Sequence, residues 1–239
     1  MTGNAKESMR TYWDEAARTN AAWYVDTSLS FDSPDLQQFF ETGRTVARAA
    51  IEEASVQPAG RGLAVEIGSG LGRICKALAE RFDRVIGLDI SAEMVKRAKE
   101  LVPDEKISFE VSSGTDLRPL ADGAADLVLT FTVFQHIPDV AVIEGYVREA
   151  GRVLKPGGVF VFQWNNTPGA RRWAFKRSLL GFLQRTGLRA ERHRRNAPEF
   201  LGSRVPLSRM REALVSAGME LRETKGLDTL YAWAWAVKR

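Results

Sequence analysis

Cysteine pairs, long apolar runs and a strong charge of either sign are all missing from this chain. Cys75 is the only cysteine, so no intramolecular disulfide can form. Its neighbours Ile74, Leu78 and Ala79 place it on a buried helix face, in a packing role rather than a nucleophile's. No apolar run approaches the roughly 20 residues needed to cross a bilayer. The start, with Asn4, Lys6, Glu7 and Arg10, lacks a signal peptide's apolar segment, so a cytoplasmic address is the default expectation. Repeats and low-complexity segments are absent too. Thirty-four Lys and Arg against 30 Asp and Glu leave a formal charge of +4, modest for this length.

What is present is an ordinary globular composition. The 239 residues are 44% hydrophobic, enough to bury a sizeable core in one large domain or two small ones. From Leu63 to Gln163, short β-rich runs alternate with helical patterns, as in a parallel sheet wrapped by crossover helices. Strands are expected at Leu63 to Ile67, Arg84 to Asp89, Lys106 to Val111, Asp126 to Phe131 and Val159 to Gln163. Helices are expected at Leu71 to Arg81, Ala92 to Leu101 and Val140 to Leu154, the last stopped by Lys155-Pro156-Gly157-Gly158. Upstream, Lys6 to Arg18 and Pro34 to Glu53 read as helices, the second capped by Ser33. Downstream, a helix from an Ser208 cap to about Ala217 precedes strands at Met219 to Thr224 and Thr229 to Val237. In the last strand Tyr231, Trp233, Trp235 and Val237 alternate with Ala232, Ala234 and Ala236, so large side chains fill one face and alanines admit a helix on the other. The fold expected is an α/β, Rossmann-like doubly wound sheet of seven strands with an antiparallel final strand. Residues 1–56 form an N-terminal helical cap, and residues 57–239 form the core, with a substrate-lid insertion at 165–205.

Chemistry concentrates at Val65-Glu66-Ile67-Gly68-Ser69-Gly70-Leu71-Gly72. A strand, a glycine-rich turn and a helix in this order let the backbone approach a ligand closely at the carboxyl end of the first strand. A dinucleotide fingerprint would place a third glycine at position 73, where this chain has Arg73. The spacing is instead G-x-G-x-G with Glu66 two residues before it. Asp89, 21 residues after Gly68, ends the second strand where a carboxylate accepts hydrogen bonds from two ribose hydroxyls. Helix capping is its alternative role, although Ser91 is better placed for that.

The glycine turn resembles the first motif of class I S-adenosylmethionine-dependent methyltransferases, in which it approaches the methionyl part of the cofactor. Ser113-Gly114-Thr115-Asp116-Leu117 and the following Asp122-Gly123-Ala124-Ala125-Asp126-Leu127-Val128 resemble the adenine-lining stretch of that superfamily and its D-G-x-x-D-h-V lead-in to the fourth strand. Gly114 departs from the pattern, since many relatives carry an acid there; Asp116 is then either the adenine contact or a turn residue. With Thr130 to Asp139 after the fourth strand and Lys155 to Gly158, the resemblance runs from Leu63 to Gln163. It implies S-adenosylmethionine as cofactor and Glu66, Gly68, Ser69, Gly70, Gly72, Arg73, Asp89, Ile90, Thr115, Asp116, Leu117 and Thr132 as its contacts. Some superfamily members bind a divalent metal through E-x-x-E-H at this place. Here Thr132 and Gln135 replace the two acids before His136, so no metal is expected.

Methyl transfer needs an acceptor lone pair held in line in a dry pocket, and a base only if the acceptor arrives protonated. His136 is the candidate base; backbone packing is its other role. The acceptor pocket is expected from Tyr12, Trp13, Trp23, Tyr24, Gln135, Trp164 and Asn165, whose aromatic and amide edges suit a small molecule. Between Arg171 and Arg195 lie nine basic residues with Glu191 as the only acid, interleaved with Leu179, Leu180, Phe182 and Leu183. An amphipathic lid helix is one reading, and phosphate binding in an RNA methyltransferase is another. A catalytically silent cofactor-binding scaffold is a third. The expected partner is a small-molecule acceptor of the kind met in secondary metabolism, with the chain as a monomer or homodimer.

Overall fold

A computed structural model describes residues 3–168 and 202–239. The basic stretch at 171–195 therefore lies outside the described residues. The chain opens with helix α1 (Gly3–Val25) and α2 (Leu36–Ile51), then strand β1 (Leu63–Ile67), α3 (Arg73–Leu78), β2 (Arg84–Asp89), α4 (Ala92–Leu101) and β3 (Ile107–Val111). Strand β4 (Ala125–Thr130), a single 3-10 turn at Phe134–His136, α5 (Val140–Val153), β5 (Leu154–Trp164), α6 (Leu207–Ser216), β6 (Met219–Lys225) and β7 (Ala232–Lys238) complete it. The seven strands lie in the order β3-β2-β1-β4-β5-β7-β6. The first five run parallel, and β7 pairs antiparallel with β5 and β6.

Period-two alternation divides the core between the two faces of this sheet. Val65, Ile67, Val128, Phe160 and Phe162 face α5 and α6, and the small Ala232, Ala234 and Ala236 share that face. Ala64, Leu127, Leu129, Val159, Val161 and Trp235 face the other way, against α2, α3 and α4. Trp235 is fully buried and donates its Nε1 hydrogen to the Ala50 carbonyl at 2.8 Å, which ties α2 to the last strand. Helix α2 thus packs into the core of the sheet. Helix α1 lies over the carboxyl edge, where Asp14 accepts hydrogen bonds from Ser91 Oγ and Glu93 N at the start of α4. Non-helical torsions at Asn20 (φ −163°, ψ 85°) redirect its last turn.

The expected elements are present, and several ends differ. Asp35, not Ser33, caps α2, because its carboxylate reaches the Gln37 and Gln38 amides. Helix α6 starts after Pro206 with no side-chain cap, so Ser208 sits inside it. Helix α1 runs beyond Arg18 to Val25, and β5 begins at Leu154 because the Gly157 bend (φ 78°) keeps the chain beside β4. Truncating Trp235 to Ala removes a large buried side chain and the only bond from its ring to α2. The expected loss is about 3–5 kcal/mol, read as a lower denaturant midpoint at unchanged slope; a loss under about 1 kcal/mol contradicts this role for the indole.

Candidate functional site

Strand order reverses between β1 and β4, so the loops after these strands diverge and leave a crevice at the sheet's carboxyl edge. The glycine turn fills its floor. Gly68 N and Ser69 N both donate to the Leu88 carbonyl, at 2.6 and 3.0 Å. Gly70 N donates to Asp89 Oδ2 at 2.8 Å. Gly68 (φ 75°) and Gly70 (φ 52°) take left-handed torsions that favour glycine. A Cβ on Gly68 would lie 2.2 Å from Val133 Cγ2, and one on Gly70 would lie 2.6 Å from Val25 Cγ2. The β4 loop and the end of α1 therefore close onto the turn from two sides.

Three buried acids or ion pairs surround that turn. Asp89 Oδ1 accepts from Ser91 N at 2.9 Å, while Ser91 itself caps α4 through Met94 N. Burial nonetheless raises the Asp89 pKa. Glu66 is 2% exposed and accepts the Cys75 thiol hydrogen at 2.9 Å. Burial pushes the Glu66 carboxyl up to about 8 against the opposing Cys75 hydrogen bond and Arg73 charge. The Cys75 thiol is pushed well up by the same burial, as a packing cysteine requires. Arg73 pairs with Asp26 at 3.3 Å and with Thr42 Oγ1 at 2.7 Å, with its guanidinium over the Phe39 and Phe131 rings. Burial lowers the Arg73 pKa while Asp26 and Glu66 oppose the shift.

A cavity of about 320 Å³ runs from this turn beneath α1 to the 3-10 turn at Phe134–His136. Its lining includes Ile90, Met94, Ser112, Gly114 and Tyr146, from the segments after β2 and β3 and from α4 and α5, together with Met9 and Trp13 of α1 and Gln135, His136 and Ile137 after β4. Trp13 meets His136 edge-on, with ring centroids 5.5 Å apart. Thr132, on the same wall, holds φ 54°, a strained value for a β-branched residue. Ser69 Oγ, Arg73 Nε and both amide atoms of Gln135 are buried in this wall with no hydrogen-bond partner among the described residues. Such orphans are rare in native structures and mark places where a ligand or water completes the bonding.

The methyltransferase domain family matches residues 65–162. That stretch includes the turn, Asp89, Thr132 and the 3-10 turn. Residues 65–162 are thus similar to a methyltransferase domain. Over 104 residues, 42% of this chain, it is 38% identical to the 2-methyl-6-phytyl-1,4-hydroquinone methyltransferase of Synechocystis, covering 31% of that protein. It is 34% identical over 102 residues, 41% of this chain, to the ajmaline N-methyltransferase of Rauvolfia serpentina, covering 34% of it. The chain thus spans about a third of the length of these relatives. Its fold matches the magnesium protoporphyrin IX methyltransferase of Synechocystis with bound SAH at a TM-score of 0.63 and 16% identity, covering 98% of this chain and 100% of that one.

Within the matched region and its helical cover, the cavity gathers Glu66, Gly68, Ser69, Gly70, Arg73, Asp89, Ile90, Thr132, Gln135, His136, Trp13 and Tyr24. Other residues expected from the sequence lie elsewhere. Gly72 packs against the Phe109 ring, where a Cβ would come within 2.5 Å. Thr115 and Asp116 line a separate surface depression with Arg118 and Arg148, and Asp116 pairs with Arg118 at 2.9 Å. Leu117 is fully buried in the core. Tyr12 stacks edge-on with Trp13, while Trp23 packs on Tyr24 and Phe31. Trp164 donates to the Val205 carbonyl, and Asn165 Oδ1 accepts from Thr167. Neither lines the cavity. An acid at position 114 would be strained, since Gly114 has φ 82° with Ile90 packed 2.8 Å from where a Cβ would sit.

Ser112, Tyr146, Val25, Asp26 and Met94 line the cavity without having stood out in the sequence. Each reaches it through tertiary packing rather than a motif. The buried Glu66 fixes a pH dependence. Between pH 4.5, the ordinary value, and about 8, the folded chain keeps a proton that the unfolded chain has released. Stability therefore falls as pH rises through that window, by at most ~1.4 kcal/mol per pH unit for one proton. Asp89, also raised, adds the same sign. In Glu66→Gln the unfolding midpoint of the ligand-free protein is expected to fall less steeply between pH 5 and 8; an unchanged slope contradicts the assignment.

Proposed function

We propose that this chain transfers the methyl group of S-adenosylmethionine to a nucleophilic oxygen, nitrogen or carbon of a small-molecule acceptor. One observation carries the reading: a single cavity joins the glycine turn and Asp89 to Trp13, Gln135 and His136. Cofactor and acceptor then share one enclosed space, as in-line transfer demands. When bound, the cofactor supplies a sulfonium methyl that is already electrophilic. Asp89 is the ribose acceptor, and Glu66 with the turn faces the methionyl end. Ile90, Ser112, Gly114 and Tyr146 wall the base. Met9, Trp13 and Ile137 exclude water around the acceptor, which strengthens polar contacts there. His136 takes the proton of an acceptor that arrives as a hydroxyl or ammonium. Helix α1 is the lid of this site, latched to the turn by the Asp26–Arg73 pair.

The relatives' names include a hydroquinone and an alkaloid as substrates, which supports a small, largely apolar acceptor here. Calorimetry with S-adenosylmethionine is expected to show binding that Asp89→Ala and Gly70→Val each weaken at least tenfold. If neither variant changes affinity, the turn is not the cofactor site. Methyl-labelled cofactor offered with phenol, amine and carbon-acid acceptors then separates an enzyme from a silent scaffold. Thr132 and Gln135 give a hard cation no carboxylate, so prior dialysis against a chelator is expected to leave transfer unchanged. Loss of transfer after dialysis, restored by a divalent cation, would contradict this.

A further inference from the structure

The charged groups that line the cavity already have partners within the chain. Arg73 is paired with Asp26, Glu66 accepts from Cys75, and Asp89 accepts from Gly70 and Ser91. Thr132 Oγ1 donates to the Phe131 carbonyl. Gln135 stands apart. It is 6% exposed, it lines the cavity, and among the described residues neither its Oε1 nor its Nε2 has a hydrogen-bond partner. A buried primary amide left unmatched at both atoms is costly, and a polar group so placed in a binding wall is matched by what enters.

The main chain at Gln135 is held in place. Gly202 (φ 53°) packs so tightly on the Gln135 carbonyl that no side chain fits between them. One residue further on, Ser203 donates to the Pro138 carbonyl. The 3-10 turn at Phe134–His136 supplies the rest, with His136 N bonded to the Val133 carbonyl at 2.8 Å.

We propose that Gln135 selects the acceptor, choosing an uncharged, planar molecule that displays a hydrogen-bond donor beside a carbonyl or equivalent acceptor atom. The inference rests on the methyl-transfer reading above and narrows its acceptor. An amide offers one acceptor oxygen and two N–H donors and carries no charge. It therefore pairs both ways with a neutral lactam, carboxamide or hydroxy-carbonyl edge. A carboxylate brings acceptors only, which satisfies the N–H groups but repels the amide oxygen, and an ammonium brings donors only, which leaves the N–H groups unmatched. Met9, Trp13 and Ile137 supply apolar walls for the body of such a molecule.

The test uses the full chain saturated with S-adenosylhomocysteine and three bicyclic probes of similar shape: 2-quinolone, naphthalene and 2-naphthoate. Calorimetry or ligand-observed NMR gives each affinity. Wild type is expected to bind 2-quinolone at least tenfold tighter than either of the others. Gln135→Leu is expected to lose that preference while its S-adenosylhomocysteine affinity stays within twofold. Gln135→Glu, which keeps the shape, is expected to lose it too, and serves alone if the leucine variant does not fold. The proposal is overturned if wild type shows no preference for 2-quinolone, or if both variants keep it. It is also overturned if the variants lose S-adenosylhomocysteine in parallel, because the amide then belongs to the cofactor. Failure of the wild-type chain to bind S-adenosylhomocysteine at all sinks the methyl-transfer reading itself, and this inference with it.

Discussion

The site is organised by one buried carboxylate at the end of β2. Asp89 holds Gly70 N through one oxygen and Ser91 N through the other, so a single side chain fixes both the glycine turn and the start of α4. Without that bridge the left-handed turn keeps the bonds of Gly68 N and Ser69 N to the Leu88 carbonyl and of Gly72 N to the Ser69 carbonyl, but loses its tie to the end of β2 at Gly70. Asp14 reaches Ser91 and Glu93 from α1, so the same junction also seats the N-terminal helix. Sheet, glycine turn and α1 meet at this junction. A carboxylate buried in this way is costly unless its oxygens are satisfied, and the two amides only partly offset that cost, since its pKa stays raised. Additional donors at this position are therefore favourable, which fits the ribose role proposed for it.

Local sequence encoded most of the scaffold because its signals are strong and short-ranged. The strands at Leu63–Ile67 and Arg84–Asp89 and the helix at Ala92–Leu101 have the boundaries that apolar runs and the Ser91 cap imply. The alternation of tryptophans with alanines in β7 places each set on its own face. Where two capping residues compete, composition does not decide. Ser33 and Asp35 both precede α2, and only the backbone path determines that Asp35 aims at the first free amides. The length of α1 was equally hidden, since its last turn is held by packing of Val25 on Gly70 rather than by periodicity.

The site shows the same division. The cavity position of Gly68, Ser69 and Gly70 was legible because glycine spacing reports left-handed torsions directly, whereas Gly72 of the same spacing faces Phe109. Asp116 illustrates the limit: its motif position suggests adenine, yet the loop turns its carboxylate outward to Arg118. Tyr146 and Ser112 line the cavity instead, brought in from α5 and the end of β3. No local pattern announces such residues, because what recruits them is the packing of α5 across the sheet. Gln135 was visible as a polar residue beside the histidine, but its unmatched amide emerges only once the surrounding wall is in place.

A crystal structure with S-adenosylhomocysteine bound tests the account most directly. The ligand is expected in the cavity under α1, with its ribose hydroxyls on Asp89, its amino acid portion against the Glu66 to Gly70 turn, and its base between Ile90 and Tyr146. A ligand seated instead in the depression lined by Asp116, Arg118 and Arg148, or one that leaves Asp89 bonded only to Gly70 and Ser91, would contradict it.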